Sequence, residues 1–81
     1  MSVTYYVALP FVGGEEGIVP GQAQEAPNEA AAIRLAEIMS REPEHVGALA
    51  FKRTGDPNMG NFGEATVLKT FGDVPDNLDE L

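Results

Sequence analysis

The chain of 81 residues is 43% hydrophobic and 22% charged, a balance typical of a globular protein that excludes disorder from end to end. Its length allows one domain, residues 1–81, with a thin core. Thirteen acidic residues against five basic ones give a net charge of −8, so we expect no nucleic-acid partner and no membrane partner.

The first predicted element is a strand within residues 3–12. Its aromatic and larger apolar residues fall at odd positions: Val3, Tyr5, Val7, Leu9 and Phe11. This alternation predicts a strand whose odd face is buried. Pro10 has no backbone donor, so we expect the strand to lie at an edge there or to end.

Residues 13–27 are rich in glycine, proline and glutamate and predict a loop. Ile18 and Val19 favour a hairpin inside this loop, whose return arm, near residues 22–26, gives a short extra strand. Glu15 and Glu16 are expected in a solvated turn, because calcium loops need several oxygens at fixed spacing.

A helix is predicted between Asn28, which is placed to cap its first turn, and Pro43, which ends it. At about 100° per residue, the apolar residues share one broad face: Ala31, Ala32, Leu35, Ala36, Ile38 and Met39. Glu37 and Arg41 lie opposite, at the spacing of an i,i+4 ion pair. Ile33 falls among the polar positions.

The segment after Pro43 predicts an antiparallel hairpin, in which two β-rich runs flank a glycine-rich loop. In the first run, one face carries Leu49 and Phe51, and the other carries Val46, Ala48 and Ala50. In the second run, Val67 and Phe71 oppose Leu68. Residues 76–81 predict a helical turn that packs on the sheet together with Val74.

These elements predict an α+β fold of order β-α-β-β, with or without a short extra strand before the helix. The sheet has three to four mainly antiparallel strands, and one amphipathic helix packs on one face. Because one helix covers only one face, we expect the second face or an edge strand to meet a partner.

The glycine-rich loop of residues 55–63 is a candidate phosphate site, because glycine loops before helices bind phosphates. This loop leads into a strand, and its glycines do not match G-x-G-x-x-G or a P-loop. It also lacks the EF-hand residues, since Asn61 and Val67 stand where glycine and glutamate are required. We interpret it as a hairpin loop.

Catalytic chemistry has few candidate residues. Cysteine is absent and His45 is the single histidine, so neither a two-histidine metal site nor a cysteine–histidine pair can form. We expect His45 to lie near carboxylates at a strand entrance. The sequence predicts no catalytic residue, cofactor or metal, and it disfavours an enzyme. The lack of cysteine suits the reducing cytoplasm.

The candidate residues for contact with a partner are Ile33, Met59 and Phe62. Met59 and Phe62 lie at the loop tip, where methionine and aromatic side chains can anchor a protein partner. The basic residues of the hairpin are Lys52, Arg53 and Lys69. We interpret them as edge-strand charges that oppose aggregation.

Four segments, "YYVALPFV", "AAIRLAE", "GALAFKRTGDP" and "VLKTFGDVPD", resemble recurring blocks of small stand-alone bacterial proteins of uncharacterised function. The blocks span most of the chain, and none of them is a chemical motif. The resemblance implies a self-contained βαββ-like unit. It implies no activity, ligand or site.

The favoured function is a small acidic cytoplasmic protein-interaction module that forms a homodimer or binds another protein. One alternative is a small-molecule sensor or minor enzyme with a pocket between helix and sheet, whose polar groups are Tyr5, Tyr6, His45 and Arg53. The other is an acidic mimic of nucleic acid, which requires carboxylates along one face.

Overall fold

In the computed structural model, the residues described are 3–15, 17–56, 58, 60–63 and 65–75. Within them the elements in chain order are β1 (Val3–Gly14), β2 (Gly17–Pro20), β3 (Gln24–Ala26), α1 (Glu29–Ser40), β4 (Gly47–Asp56), β5 (Asn61–Phe62) and β6 (Thr66–Gly72). The strand pairs are antiparallel. The predicted α+β class is therefore confirmed, with one helix and an antiparallel sheet in the described part of the chain. The predicted three to four strands understate its six strands.

β1 and β4 form the centre of the sheet. Their register is continuous from Val3 opposite Gly55 to Phe11 opposite Gly47. β2 and β3 both pair with the other edge of β1, while β5 and β6 both pair with the other edge of β4. The six strands therefore make a sheet that is four strands wide.

The loop predicted for residues 13–27 contains two short strands instead. The chain reverses directly after β1, with Gly14 opposite Gly17. Gly17 has a φ of 129°, a conformation that glycine adopts without steric cost. The predicted hairpin therefore forms with β1 itself and not inside residues 18–26.

Pro10 does not end β1, but the ladder on one side of it is interrupted, because β2 pairs from Phe11 onward and β3 only as far as Ala8. This local edge agrees with the predicted alternative that β1 lies at an edge there. Pro10 pairs with Ala48 of β4, and its carbonyl accepts a hydrogen bond of 2.8 Å from Gly21 N. Since the N and C=O of one strand residue point the same way, the missing N–H of Pro10 faces the break between β2 and β3. Because no strand residue lies opposite Pro10 at this break, no carbonyl loses a hydrogen-bond donor to the proline.

The capping residue and the ion pair predicted for α1 are both present. Asn28 has extended backbone angles, and its Oδ1 accepts a hydrogen bond of 2.8 Å from Ala31 N, which satisfies one free donor of the first turn. Glu37 Oε1 and Arg41 Nη2 form the i,i+4 ion pair at 2.6 Å. The helix ends at Ser40, before Pro43 is reached.

The helix packs on a layer of small side chains, which we name the helix-side cluster. Its buried members are Ala8, Ala26, Ala32, Ala36, Met39, Ala48 and Ala50. Because alanine extends only one carbon from the backbone, α1 lies close against β1 and β4. This close approach leaves no room for larger residues at the same positions.

We expect Ala36→Leu to destabilise the fold by about 2 kcal/mol, because three extra carbons must fit where Ala36 is fully buried. The matched control is Ala30→Leu, on the exposed side of the same helix, which should change stability by less than about 0.5 kcal/mol. Urea unfolding followed by circular dichroism measures both. Equal midpoints for the two variants would contradict the close packing.

The opposite face of the sheet carries the large side chains, which we name the far-side cluster. It consists of Leu9, Phe11, Leu49 and Phe51, all at most 9% exposed. Ile18, Ala65 and Val74 pack against it from outside the central strands, as predicted for Val74. The odd face of β1 is thus buried as predicted, but on the side away from α1. The centre of this second face, which was one of the two surfaces expected to meet a partner, is thus covered by other described segments of the same chain.

A β-bulge changes the faces predicted for β6. Ala50 is opposite Lys69 while Phe51 is opposite Val67, so Leu68 is an extra residue in the ladder. The insertion reverses the alternation, because two residues then oppose one. As a result Phe71 packs with Leu68 on the helix-side cluster, whereas the sequence pattern placed Phe71 with Val67.

Candidate partner-binding surface

Of the three residues predicted to contact a partner, the structure describes the side chain of one, Ile33. Ile33 is partly buried and packs against the helix-side cluster. Met59 lies outside the described residues. Phe62 is described only by its backbone, which pairs with Gly55. Contact of these residues with a partner stays a prediction.

The four polar residues considered for a small-molecule pocket are distributed over both faces of the sheet. Tyr6 packs against the helix-side cluster. Tyr5 and Arg53 are cross-strand neighbours on the opposite face, because successive strand residues alternate in direction. The space between helix and sheet is filled by alanines such as Ala36 and Ala48, which are fully buried. Where α1 crosses β1 and β4, the helix and the sheet are therefore in direct contact.

His45 lies in the segment between α1 and β4, two residues before the strand, as predicted, but its ring contacts a helix carbonyl. Its Nδ1 is 2.7 Å from the carbonyl oxygen of Met39, one of the carbonyls that the helix end leaves available. The same carbonyl accepts a hydrogen bond from Glu42 N. The contact gives His45 a structural role, because its ring binds a carbonyl at the C-terminal end of the helix.

The glycine-rich loop connects antiparallel strands, which confirms the predicted hairpin. Gly63 N donates to the carbonyl of Thr54 at 2.9 Å, and Asn58 N donates to Asp56 Oδ1 at 2.9 Å. Gly60 has a φ of 65°, as a tight reversal requires. Among the described residues, no group of three histidine, aspartate or glutamate side chains is placed to hold a metal ion.

The charged residues are not sorted onto one face. In the register of β4, Lys52 lies on the helix side and Arg53 on the far side. Lys69 Nζ lies 5.3 Å from the ring centre of Phe71, within the range of a cation–π contact. The described carboxylates lie at the β1–β2 turn, on β3, along and after α1, and at the ends of β4 and β6. That spread does not support a mimic of nucleic acid.

Both outer edges of the sheet carry features that oppose pairing with another strand. β2 and β3 are short, and Pro20 and Pro27 stand at their ends. β6 contains the bulge at Leu68 and the exposed Lys69. Short strands, prolines, bulges and lysines all discourage edge-to-edge association. The sheet edges are therefore poor docking surfaces.

One flank of α1 carries a second apolar row, which we name the outer stripe: Ala31, Leu35 and Ile38. Ala31 and Leu35 are half-buried and also pack against the helix-side cluster, whereas Ile38 is exposed. These residues lie at spacing i, i+4 and i+7, so they follow one line along the helix. Together with Ala26 they line a shallow groove of about 250 Å³ between the helix and β3. Ile38 is 51% exposed, the largest value among the large hydrophobic side chains described.

The sequence pattern placed Ile38 on the buried face, and this is wrong. The buried residues Ala32, Ala36 and Met39 form one i, i+4, i+7 row, and the outer stripe forms another beside it. A helical wheel merges the two rows into one broad arc and cannot tell which half meets the sheet. The sequence carries no signal that separates the two rows, because a broad apolar arc is the usual buried face of a surface helix.

Two opposite charges stand on the two walls of the groove. Arg34 lies on the helix wall and Glu25 on the β3 wall, and both are exposed. Neither side chain forms an ion pair or a side-chain hydrogen bond with another described residue. By contrast, Arg41 is already paired with Glu37. The groove thus combines an apolar floor with one positive and one negative group that have no partner in this part of the chain.

None of the helices in the described part of the chain has the length and hydropathy needed to cross a bilayer. No protein-family model, no curated protein and no solved structure matches this chain.

Proposed function

We propose that this protein is a small cytoplasmic protein-interaction module that associates with a second copy of itself through the outer stripe of α1. The observation that carries the proposal is the exposure of Ile38 in an apolar row beside an open groove. Isolated exposed aliphatic residues are common. A half-exposed isoleucine in line with Leu35 and Ala31 is different, because the row is continuous.

The outer stripe suits a second copy because one chain carries both the groove and the side chains that fit it. Helix rows at i, i+4, i+7 spacing pack against equivalent rows by ridges-into-grooves contact. Ile38 is large and exposed enough to enter a facing groove, and the small Ala31 allows the backbones to approach. The buried far-side cluster and the protected sheet edges leave this flank as the best supported surface.

A small-molecule sensor has weaker support. Binding pockets for small molecules are concave and bring a few polar groups together. The groove beside α1 is shallow, and its two charged groups lie on its opposite walls. The space between helix and sheet is closed by alanine packing.

The proposal predicts that Ile38→Glu weakens self-association by about tenfold or more, because a carboxylate would be buried in an apolar contact. Sedimentation equilibrium from low to high micromolar concentration measures the change. The matched control is Val67→Glu, which makes the same charge change at a part-exposed site, 37% exposed, on β6. It should associate like the parent chain.

Circular dichroism of both variants separates loss of association from loss of folding. A parent chain that stays strictly monomeric at high micromolar concentration would refute self-association. Equal weakening by both variants would show that association uses a surface other than the outer stripe.

A further inference from the structure

We infer that the two copies pair about a two-fold axis that places Arg34 of each chain against Glu25 of the other. The inference rests on the proposed self-association through the outer stripe and adds the geometry of the pair. It names an ionic contact that occurs twice in the assembly. That contact sets the register of one helix against the other.

The geometry follows from the walls of the groove. Arg34 projects from the helix wall and Glu25 from the β3 wall, with the outer stripe between them. A two-fold rotation exchanges the positions of equivalent residues, so a contact from residue i to residue j is repeated from j to i. When the two-fold axis runs along the groove, the helix wall of each copy meets the strand wall of the other. Both resulting contacts join unlike charges.

Other arrangements leave charges unmatched. A two-fold axis that runs across the groove opposes the helix walls to each other and the strand walls to each other. It sets Arg34 against Arg34 and Glu25 against Glu25, and like charges across an interface disfavour that arrangement. A head-to-tail arrangement does not close on itself and extends into a filament. The two-fold pair uses both charged groups once per chain and leaves no free groove.

The ionic contacts contribute more to selectivity than to affinity. Exposed ion pairs add little binding free energy, so the apolar stripe supplies most of the attraction. The chain also carries a net charge of −8, which repels its own copy at long range. Arg34 is the helix cation that is not already paired, because Arg41 contacts Glu37 at 2.6 Å. The Arg34 contact therefore opposes that repulsion at the interface.

The test uses charge reversal in mixed populations. Arg34→Glu and Glu25→Arg each place like charges across both contacts, so each variant alone should self-associate about tenfold more weakly than the parent chain. In an equimolar mixture of the two variants, both contacts again join unlike charges. Native mass spectrometry should therefore show a mixed dimer in clear excess over either homodimer. The doubly exchanged chain, Glu25→Arg with Arg34→Glu, should associate like the parent.

The matched control mixture is Arg34→Glu with Glu44→Arg. Glu44 is exposed in the segment after α1, so this mixture has the same net charges as the test mixture without a complementary contact. It should show no excess of mixed dimer over the statistical proportion. Circular dichroism confirms that each variant is folded.

The outcomes separate the two proposals. A parent chain that is monomeric throughout refutes the proposed self-association, and the pairing with it. A parent chain that associates, with equal amounts of mixed dimer in the test and control mixtures, refutes the Arg34–Glu25 pairing alone. Excess mixed dimer only in the test mixture, with recovery in the doubly exchanged chain, supports both.

Discussion

Gly47→Ala should destabilise the fold by about 3 kcal/mol, out of a total stability of roughly 4–12 kcal/mol for a domain of this size. A Cβ added at Gly47 would lie 2.1 Å from the carbonyl oxygen of Asp73 and 2.7 Å from its C and N atoms. These are backbone atoms, so no side-chain rotation can relieve the overlap. Asp73 is itself held by a hydrogen bond of 2.9 Å from its N to the carbonyl of Val46.

The control for this prediction is Gly13→Ala. A Cβ at Gly13 would lie 3.4 Å from Val46 Cγ1, an ordinary contact, so we expect a change of less than about 1 kcal/mol. Urea unfolding at matched protein concentration measures both variants. If Gly47→Ala unfolds at the same urea concentration as Gly13→Ala, the backbone crossing between β4 and the residue after β6 is not as close as described.

Leu49→Ala is the second change with a large expected effect, a loss of about 3 kcal/mol. Leu49 is fully buried in the far-side cluster, so the truncation removes apolar contacts and leaves a cavity between sheet and covering segments. Thermal unfolding or urea titration of the monomeric chain detects the loss. The result tests whether this face is closed by the chain itself.

Val67→Ala provides the comparison on β6. Val67 is 37% exposed and faces the same side as its partner Phe51, so its truncation should cost less than about 1 kcal/mol. If Leu49→Ala cost no more than Val67→Ala in the monomer and instead weakened self-association, the far side would be the interface. That outcome would favour the original expectation from the sequence over the closed face seen here.

These stability variants and the groove variants act on different properties. Gly47 and Leu49 lie away from the groove and should change the free energy of unfolding. Ile38, Arg34 and Glu25 are exposed, and their substitution should change association with little effect on unfolding of the monomer. Measuring both properties for each variant therefore distinguishes a damaged fold from a damaged contact.

Much of the fold was predictable because its signals are local. Asn28 caps α1 through a contact with Ala31 three residues away, and Glu37 pairs with Arg41 over one turn. Glycines in the 55–63 loop permit the reversal that joins β4 to β5 and β6. Each of these contacts depends on residues a few positions apart, so the residue types suffice to predict them.

The candidate site was not predictable in the same way. The groove needs β3 beside the helix, and β3 is placed there by pairing with Tyr6, Val7 and Ala8 of β1, which are distant in the chain. The sequence indicated an apolar arc on α1 but not which half of it would remain exposed. That half depends on how alanines of β1 and β4, far apart in the chain, seat the helix.

Composition and local pattern alone therefore determined an acidic α+β domain with one capped helix, a long first strand and a C-terminal hairpin. Only the tertiary structure decided that the alanine face of the sheet receives the helix and that the leucine and phenylalanine face is closed by other segments of the same chain. It also decided that a bulge turns Phe71 toward α1. The physical reason is that side-chain alternation shows which residues share a face of the sheet, but not which face receives the helix. The segments that cover each face are set by contacts between distant parts of the chain.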